Sequence, residues 1–155
     1  MARVVAAMSG GVDSSVVAAL LHEQGHEVIG VHMKLHDAPD PDKAGHCCGL
    51  DDALDARSVA DRLGIAFHVL DLRVAFQKAV MDDLTKTYLA GATPNPCIQC
   101  NGVLKFRVLL NRALALGAES LATGHYARIT PGPGLARAVD HDKDQSYFLF
   151  PMSHE

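Results

Sequence analysis

A glycine- and serine-rich stretch near the start of the chain has the composition of an anion-binding loop. Its sequence is AMSGGVDSS, from Ala7 to Ser15, between a short apolar run and a helical pattern. Gly10 and Gly11 let a ligand approach the backbone closely, and the N–H groups at the start of a helix favour an anion. The serine hydroxyls add donors, and Asp13 could either cap the helix or hold a magnesium ion beside phosphates. The stretch therefore predicts a phosphate-binding loop.

This loop differs from the two best-known nucleotide-binding loops. The chain has neither the G-x-x-x-x-G-K-[ST] pattern that handles a terminal phosphate nor the dinucleotide pattern G-x-G-x-x-G. A glycine-rich turn capped by Asp13, with no ligand, is the alternative interpretation. Its position directly after an apolar run and before a helix favours the ligand-binding loop.

Four cysteines form two closely spaced pairs. Cys47 and Cys48 are adjacent in a polar stretch, where nearby histidines add a zinc interpretation, and Cys97 and Cys100 form a C-x-x-C. Such pairs in an intracellular protein indicate reactive thiols or metal ligands more often than a disulfide framework. The C-x-x-C suits either a redox-active dithiol or two of the ligands of an iron–sulfur cluster. Both interpretations stay open, as does the role of the first pair.

Cys100 is the stronger candidate for a nucleophile. The helical pattern that follows it is expected to start near Val103, which would put Cys100 just before a helix N-terminus, with Lys105 in the first turn. Both neighbours lower the pKa of a thiol and so favour the reactive thiolate. A buried, inert cysteine is the alternative, and the proline-rich loop around it argues for exposure.

Short apolar strands alternate with amphipathic helices along the chain, and glycines close the helical stretches. This alternation predicts an α/β fold with a Rossmann-like, doubly wound parallel sheet. Ligands bind such sheets beyond the carboxyl ends of the strands, where the unusual loops of this chain fall. The predicted strands span 3–8, 27–33, 66–72 and 120–123, and predicted helices span 50–63, 74–89 and 103–116, with one more after the glycine loop.

The 155 residues are expected to form one domain, residues 1–155, of ordinary globular composition, with 48% hydrophobic and 21% charged residues. The chain has no apolar stretch of membrane-spanning length and its first residues do not resemble a secretory signal, so we expect a cytoplasmic protein without a membrane partner. The formal net charge is -4. Because proteins that bind RNA over a wide surface are basic, any RNA contact must be local.

The S-G-G-x-D-S loop resembles the PP-loop of the ATP pyrophosphatases, whose fold is that of the adenine nucleotide alpha hydrolases. Three further stretches resemble the tRNA-specific 2-thiouridylases: TPNPCIQCN with the LKF that follows, then GHYARI, then KDQSYFL. They occur in the family's order, and the similarity runs from about residue 4 to residue 149. The resemblance implies that ATP adenylates the oxygen at carbon 2 of the wobble uridine and that a persulfide sulfur then replaces it. It also implies magnesium, a sulfur-donor protein, and the tRNAs for glutamate, glutamine and lysine.

Site residues follow from the resemblance by motif. Those that would bind the ATP phosphates are Ala7, Met8, Ser9, Gly10, Gly11, Val12, Asp13 and Ser14, with Met33 and Gly124 bordering the adenine and ribose. Those that would meet the target base are Asn95, Pro96 and Cys97, with Cys100 as the nucleophile. Those that would contact tRNA are His125, Lys143, Asp144 and Gln145.

The chain departs from the family pattern at Cys97, where the familiar form has aspartate. Cys97 and Cys100 are therefore both candidate catalytic residues and candidate ligands of a [4Fe-4S] cluster. The family's tRNA-binding and barrel-like domains, with its second catalytic cysteine, have no counterpart here, so we expect a fragment that binds ATP but thiolates tRNA poorly alone. Another AMP-forming PP-loop synthetase and a non-catalytic ATP-binding module are the alternatives.

Overall fold

The computed structural model describes residues 1–37, 50–132 and 134–152. They divide into two compact units, Met1–Val74 with Leu110–Gly124, and Ala75–Leu109 with His125–Glu155. The expectation of a single domain over residues 1–155 stays a prediction.

Helices account for nearly half of the described chain, and none of those helices is long and apolar enough to span a bilayer. In chain order they are α1 (Val12–Glu23), α2 (Leu50–Leu63), α3 (Arg73–Phe76), α4 (Asp82–Leu89), α5 (Pro96–Gln99) and α6 (Leu110–Ala115). A first π-helix, Gln77–Met81, joins α3 to α4, and a second π-helix, Cys100–Leu109, joins α5 to α6.

The first unit is built on a four-stranded parallel sheet. Its strands are β1 (Arg3–Ala7), β2 (Glu27–Lys34), β3 (Ala66–Asp71) and β4 (Ser120–Ala122). Their order is β3-β2-β1-β4, so the chain winds outward from β1 to β3 and then reverses to place β4 on the other side of β1. The predicted doubly wound parallel sheet is confirmed, and its topological switch point lies between β1 and β4.

Small residues let the first two helices pack closely on the sheet. Ala18 of α1 and Ala56 of α2 are fully buried against Ala6, Met8 and Val28 of the central strands and the loop. An alanine at the point of contact brings a helix near the sheet without leaving a cavity. Both ends of the glycine loop are thereby fixed by buried neighbours. The partly buried residues around this core are Leu21, Val59, Leu63, Ile65 and Phe67.

The helix that carries the C-x-x-C begins earlier than the sequence predicted. It starts at Pro96 rather than near Val103, and it continues through the second π-helix into α6. Asn95 is the N-cap, and its side chain accepts a hydrogen bond from the backbone N–H of Ile98 at 3.3 Å. Proline is favoured at the first helical position, because that residue's N–H has no intrahelical acceptor. The expectation that Cys100 precedes the helix is therefore wrong, since Cys100 lies inside it.

The second unit also contains a small antiparallel hairpin. Strands β5 (Arg128–Thr130) and β6 (Gly134–Ala136) pair in register. Two short 3₁₀ turns follow, His141–Lys143 and Ser146–Leu149.

Candidate functional site

The side chain of Ser14 holds the glycine loop in shape through hydrogen bonds to loop residues. Ser14 is buried, and its Oγ donates to the carbonyl oxygen of Gly11 at 3.0 Å. The backbone N–H of Ser9 donates to the same Oγ at 3.1 Å, and the Ser9 hydroxyl lies 3.2 Å from it. Ser14 therefore shapes the loop. The residues that lie exposed around the loop are Ser9, Gly11, Val12 and Asp13.

Gly10 occupies a position that requires glycine. Its φ is +92°, and a Cβ built on it would lie 2.4 Å from the carbonyl oxygen of Asp52. The neighbouring atoms are backbone atoms in the first turn of α2, which cannot rotate away as a side chain would. The loop thus packs backbone against backbone on α2.

The N-cap residue of α1 is a glycine, which is typical of an anion-binding helix start. Gly11 is the N-cap and has no side chain with which to satisfy the first N–H groups of the helix. Such N–H groups, with the helix dipole behind them, form an anion-binding site. Of the two roles considered for Asp13, capping is wrong, because Gly11 holds the cap position and Asp13 lies in the first helical turn.

Magnesium fits this arrangement. The carboxylate of Asp13 is exposed at the mouth of the loop, where it would repel phosphates unless a cation lay between them. Mg²⁺ is commonly held by one or two carboxylates together with phosphate oxygens and waters. Asp13 would hold the ion, and bound phosphates would supply further ligands.

Gly124 lies against the same loop from the neighbouring strand. A Cβ built on Gly124 would lie 2.9 Å from the backbone nitrogen of Ser14 and 3.1 Å from the carbonyl carbon of Asp13. The end of β4 therefore abuts the first turn of α1, at the switch point where ligands bind such sheets. Met33 is buried near the carboxyl end of β2, one residue before the strand ends. The expected roles of Gly124 and Met33 at the adenine and ribose stay predictions.

The two thiols of the C-x-x-C differ in position along their helix. Cys97 is exposed in the first turn, after the N-cap Asn95, whereas Cys100 begins the second π-helix and is partly exposed. The effect of the helix dipole falls off within the first turn, so it acts more strongly on Cys97 than on Cys100. Solvent access to Cys100 agrees with a reactive role.

A [4Fe-4S] cluster does not fit the described residues. Such clusters are usually held by four cysteine thiolates, and the described residues supply two, Cys97 and Cys100. Cys47 and Cys48, like His46, lie outside the described residues. Among the described residues, no group of three or more His, Cys, Asp and Glu side chains is arranged to hold a metal ion.

His125 and Lys105 form a hydrogen-bonded pair in the second unit. The Nζ of Lys105 lies 3.3 Å from the Nε2 of His125, and the ring of Phe106 packs beside the imidazole with centroids 6.1 Å apart. Because an ammonium group only donates, Nε2 must be the acceptor and the proton of the neutral imidazole sits on Nδ1. Burial, with the charge of Lys105 as a second cause, lowers the pKa of His125 to about 4. His125 is therefore neutral at physiological pH.

We expect His125 to make the protein less stable in acid. As pH falls through 6.5 the unfolded chain takes up a proton at this histidine, but the folded protein with its pKa of about 4 does not. The free energy of unfolding therefore falls between pH 6.5 and 4. After an allowance for partial exposure the loss is about 1–2 kcal/mol. Urea unfolding of the parent and of His125→Gln at both ends of this window should show a smaller loss in the variant, and an equal loss would contradict the assignment.

The stretch that resembles the family's tRNA-contacting residues is held by internal bonds. The Asp144 carboxylate accepts from the backbone N–H of Ala138 at 2.8 Å, and the Oε1 of Gln145 accepts from the N–H of Tyr126 at 3.0 Å. Lys143 is exposed, with its Nζ 5.2 Å from the centre of the Tyr126 ring. The sequence missed these pairings, because nothing in the motifs shows which backbone groups their side chains reach.

Comparison with known proteins gives a family match that extends over nearly the whole chain. A family model described as "tRNA methyl transferase HUP domain" matches residues 2–155. The tRNA-specific 2-thiouridylase MnmA of Geobacter metallireducens is 53% identical over 162 aligned residues, which cover 99% of this chain and 44% of that protein. The protein of the same name from Mycolicibacterium vanbaalenii is 56% identical over 155 residues, covering 99% of this chain and 43% of that protein. The chain thus spans less than half the length of these relatives.

Solved structures of similar fold are more distant in sequence. A predicted subunit of tRNA methyltransferase from Methanocaldococcus jannaschii superposes with a TM-score of 0.53 at 20% identity, over 79% of this chain and 53% of that one. The NH3-dependent NAD synthetase of Campylobacter jejuni gives a TM-score of 0.54 at 14% identity, over 77% of this chain and 45% of that one. These confirm the α/β fold, and the resemblance to 2-thiouridylases is confirmed by the curated relatives. By the match that runs from residue 2 to residue 155, the chain belongs to the tRNA methyl transferase HUP domain family.

Proposed function

We propose that this chain is the ATP-binding and thiolation part of a tRNA-uridine 2-sulfurtransferase. ATP adenylates the oxygen at carbon 2 of the wobble uridine and releases pyrophosphate. The outer sulfur of a donor cysteine persulfide then attacks carbon 2, and AMP leaves with the oxygen. The Cys100 thiolate attacks the inner sulfur, so that the S–S bond breaks, 2-thiouridine is released and a disulfide forms between Cys100 and the donor cysteine. The observation that carries the proposal is the open N-terminus of α1 beside Gly10 and Gly124, in a chain matched along 99% of its length by proteins named tRNA-specific 2-thiouridylase.

The first unit supports the ATP step. Its loop places the first N–H groups of the helix, with the exposed Ser9 beside them, where an anion can bind, and it has no lysine that could contact a terminal phosphate. Cleavage between the α and β phosphates needs pyrophosphate to be held while AMP stays bonded to the substrate oxygen. The loop would hold the pyrophosphate, and Asp13 would hold magnesium beside it. The residues proposed to surround ATP are Ala7, Met8, Ser9, Gly10, Gly11, Val12, Asp13, Ser14, Met33 and Gly124.

The charge balance of the second unit supports a local RNA contact. In the sequence, Ala75–Leu109 and His125–Glu155 together have seven Lys and Arg against six Asp and Glu, whereas the rest of the chain has seven against twelve. The second unit therefore repels a polyanion such as RNA less than the acidic remainder of the chain does. The exposed Cys97, the partly exposed Cys100 and the exposed Lys143 all belong to the second unit.

The proposed roles in the second unit are those of the base site and the thiol site. Asn95 and Pro96 would border the target base together with Cys97, and Cys100 would be the nucleophile of sulfur transfer. Asn95 also shapes this loop, since it caps the helix that bears both thiols. We further propose as partners the tRNAs for glutamate, glutamine and lysine and a sulfur-donor protein, which would place the protein in the cytoplasm where tRNA is modified.

Tracing the uridine oxygen tests the proposed reaction. A chimaera in which this chain replaces the matched part of the Geobacter metallireducens relative is incubated with ATP, magnesium and tRNA carrying ¹⁸O at carbon 2 of the wobble uridine, with sulfide or a persulfide as donor. We expect pyrophosphate rather than phosphate as the product of ATP, and we expect the heavy oxygen in the phosphate group of AMP. AMP without the label would indicate another AMP-forming synthetase. ATP binding without pyrophosphate under any condition would indicate a non-catalytic module.

A pair of serine variants provides the matched control. Ser14→Ala removes the hydroxyl that bonds Ser9 and Gly11, so we expect the loop to open and pyrophosphate formation to fall at least about tenfold, a change of about 1.4 kcal/mol. Ser15→Ala removes one bond, from Oγ to the Gly11 carbonyl at 2.9 Å, and should cost less than about threefold. Equal activity of the two variants would contradict the bracing role of Ser14.

A further inference from the structure

The carbonyl group of Met8 is hydrogen-bonded to a histidine side chain of the neighbouring strand, at the point where β1 ends and the glycine loop begins. β1 ends at Ala7, and the backbone N–H of Met8 still donates to the carbonyl oxygen of Val31 in β2 at 2.8 Å. The carbonyl oxygen of Met8 lies 3.0 Å from the Nδ1 of His32. Because a carbonyl oxygen only accepts, Nδ1 carries the proton of this hydrogen bond.

The imidazole of His32 takes the place of a backbone donor. Ala7 pairs with Val31 in the parallel register. Continued pairing would direct the N–H of Met33 to the Met8 carbonyl, but the chain leaves the sheet after Met8 and enters the glycine loop. Met8 is buried, and a buried carbonyl without a donor costs free energy. His32 supplies that donor and so lets the strand end at this residue.

The same peptide unit is held at its other end by Ser14. The N–H of Ser9, which belongs to the peptide unit between Met8 and Ser9, donates to the Oγ of Ser14 at 3.1 Å. The peptide unit is planar, with its C=O and N–H directed to opposite sides, so the two bonds together fix its rotation. Rotation by half a turn would break both bonds and would turn the carbonyl oxygen towards Ser14, into the loop. An oxygen there would repel the anion that the loop is proposed to bind.

Burial sets His32 apart from its surroundings in the sheet. Its side chain is 1% exposed, so water does not compete for the Met8 carbonyl. A buried polar side chain costs free energy unless it is hydrogen-bonded, and an apolar residue would serve the strand as well. His68, which lies opposite Val31 on β3, is exposed. The other buried positions of β2 are apolar or glycine, namely Val28, Gly30, Val31 and Met33.

We propose that His32 is a positioning residue of the ATP-binding loop. Together with Ser14 it fixes the orientation of the peptide unit between Met8 and Ser9, and it thereby holds the loop in the shape that receives phosphates. His32 acts through the Met8 carbonyl. The effect on ATP rests on the proposed function, whereas the fixed orientation of the peptide unit does not.

Amide hydrogen exchange on the whole chain tests the fixed peptide unit without ATP. His32→Asn and His32→Leu both remove the ring and have nearly the same shape, but asparagine keeps a donor bonded to Cγ, as Nδ1 is in histidine. The Ser9 amide should exchange about three- to tenfold faster in His32→Leu, as expected for loss of one hydrogen bond. In His32→Asn it should stay within about twofold of the parent. Equal exchange at Ser9 in the two folded variants would overturn the role of the Met8 bond.

Calorimetric titration with ATP and magnesium tests the consequence for the site. The dissociation constant for ATP should rise about three- to tenfold in His32→Leu and should stay within about threefold of the parent in His32→Asn. His68→Leu makes the same change at an exposed position of the next strand and should leave ATP affinity unchanged. If both His32 variants bound ATP equally weakly, the loss would come from the missing ring, and the positioning role would be overturned.

A double variant tests whether His32 and Ser14 act on one peptide unit. Because either substitution alone frees that unit, the loss of ATP affinity in His32→Leu with Ser14→Ala should be smaller than the product of the two single losses. A loss equal to that product would contradict the joint role.

The experiments separate failure of this inference from failure of the proposed function. A parent chain that does not bind ATP would contradict the proposed function, while exchange at Ser9 would still decide whether His32 fixes the peptide unit. Thermal unfolding identifies any variant that does not fold. The packing loss is common to His32→Asn and His32→Leu, so the difference between these two variants measures the hydrogen bond.

Discussion

Replacing Gly10 by alanine is expected to abolish ATP binding and to destabilise the protein by about 2–5 kcal/mol. A left-handed conformation costs an L-residue about 1–2 kcal/mol, and Gly10 has a φ of +92°. Forcing an extra carbon into a packed site adds about 1–3 kcal/mol. The new Cβ would lie 2.4 Å from the Asp52 carbonyl oxygen, so the loop or the start of α2 must move. Urea unfolding and calorimetric ATP titration measure the two effects.

Gly25 provides the matched control for that substitution. It also has a positive φ, +82°, but a Cβ built there has no heavy atom within 4 Å. Gly25→Ala should therefore cost only the conformational term, about 1–2 kcal/mol, and should leave ATP affinity unchanged. If Gly10→Ala proved as stable as Gly25→Ala and bound ATP as tightly as the parent, the packing of the loop on α2 would not be what shapes the site.

The sheet and its ligand loop could be predicted because their signals are local. Four short apolar runs mark the strands, and the glycines after the first run mark a place where the backbone must turn tightly before a helix. Gly10 shows why the residue type alone predicts the turn, because residues with a Cβ rarely adopt its positive φ. The order of the strands, β3-β2-β1-β4, was not predicted, because the alternation indicates a parallel sheet but several orders are compatible with it.

The second unit was less predictable because its contacts are distant in sequence. The bonds that join Asn101 to Phe148 and Tyr126 to Gln145 span 47 and 19 residues. A motif match shows that such residues occur together but not which side chain bonds which backbone group. The start of the helix was missed for a different reason. Apolar periodicity is weak in the segment NPCIQCNG, so the pattern did not predict a helix there. The helix nevertheless begins in this segment, because Asn95 caps it and Pro96 occupies its first position.

The earlier start of the helix changes which of the two thiols lies at the helix N-terminus. Sequence reasoning placed Cys100 at a helix N-terminus, where the dipole stabilises a thiolate. The structure gives that position to Cys97 and puts Cys100 at the first residue of the second π-helix. In a π-helix, hydrogen bonds join residues that are five positions apart, and this is the separation of Cys100 and Lys105. In an α-helix of 3.6 residues per turn they would point about 140° apart. The π-helix therefore brings these two positions nearer to one face of the helix than an α-helix would.

Replacing Cys100 by serine is expected to stop sulfur transfer while ATP is still cleaved. The relevant protein is a chimaera in which this chain replaces the matched part of the Geobacter metallireducens relative, because the chain spans 44% of that protein. A serine hydroxyl is a far weaker nucleophile than a thiolate, so 2-thiouridine should fall by at least about a hundredfold. Pyrophosphate release should stay within about threefold of the parent, since Cys100 has no role in adenylation. Mass spectrometry of tRNA nucleosides and a pyrophosphate assay measure the two steps.

Cys97→Ser and Cys97→Asp complete this experiment, because Cys97 is the thiol nearer the helix N-terminus and is exposed. If Cys97 only borders the base, Cys97→Asp, which restores the familiar family residue, should thiolate tRNA about as well as the parent. If both thiols form a working dithiol, both Cys97 variants should lose 2-thiouridine as severely as Cys100→Ser, and added reductant should recover part of the activity. Thiolation by Cys100→Ser at the parent rate would remove Cys100 from the reaction. Loss of pyrophosphate release in a folded Cys100→Ser protein would instead tie this helix to adenylation, and the separation of the two steps would have to be given up.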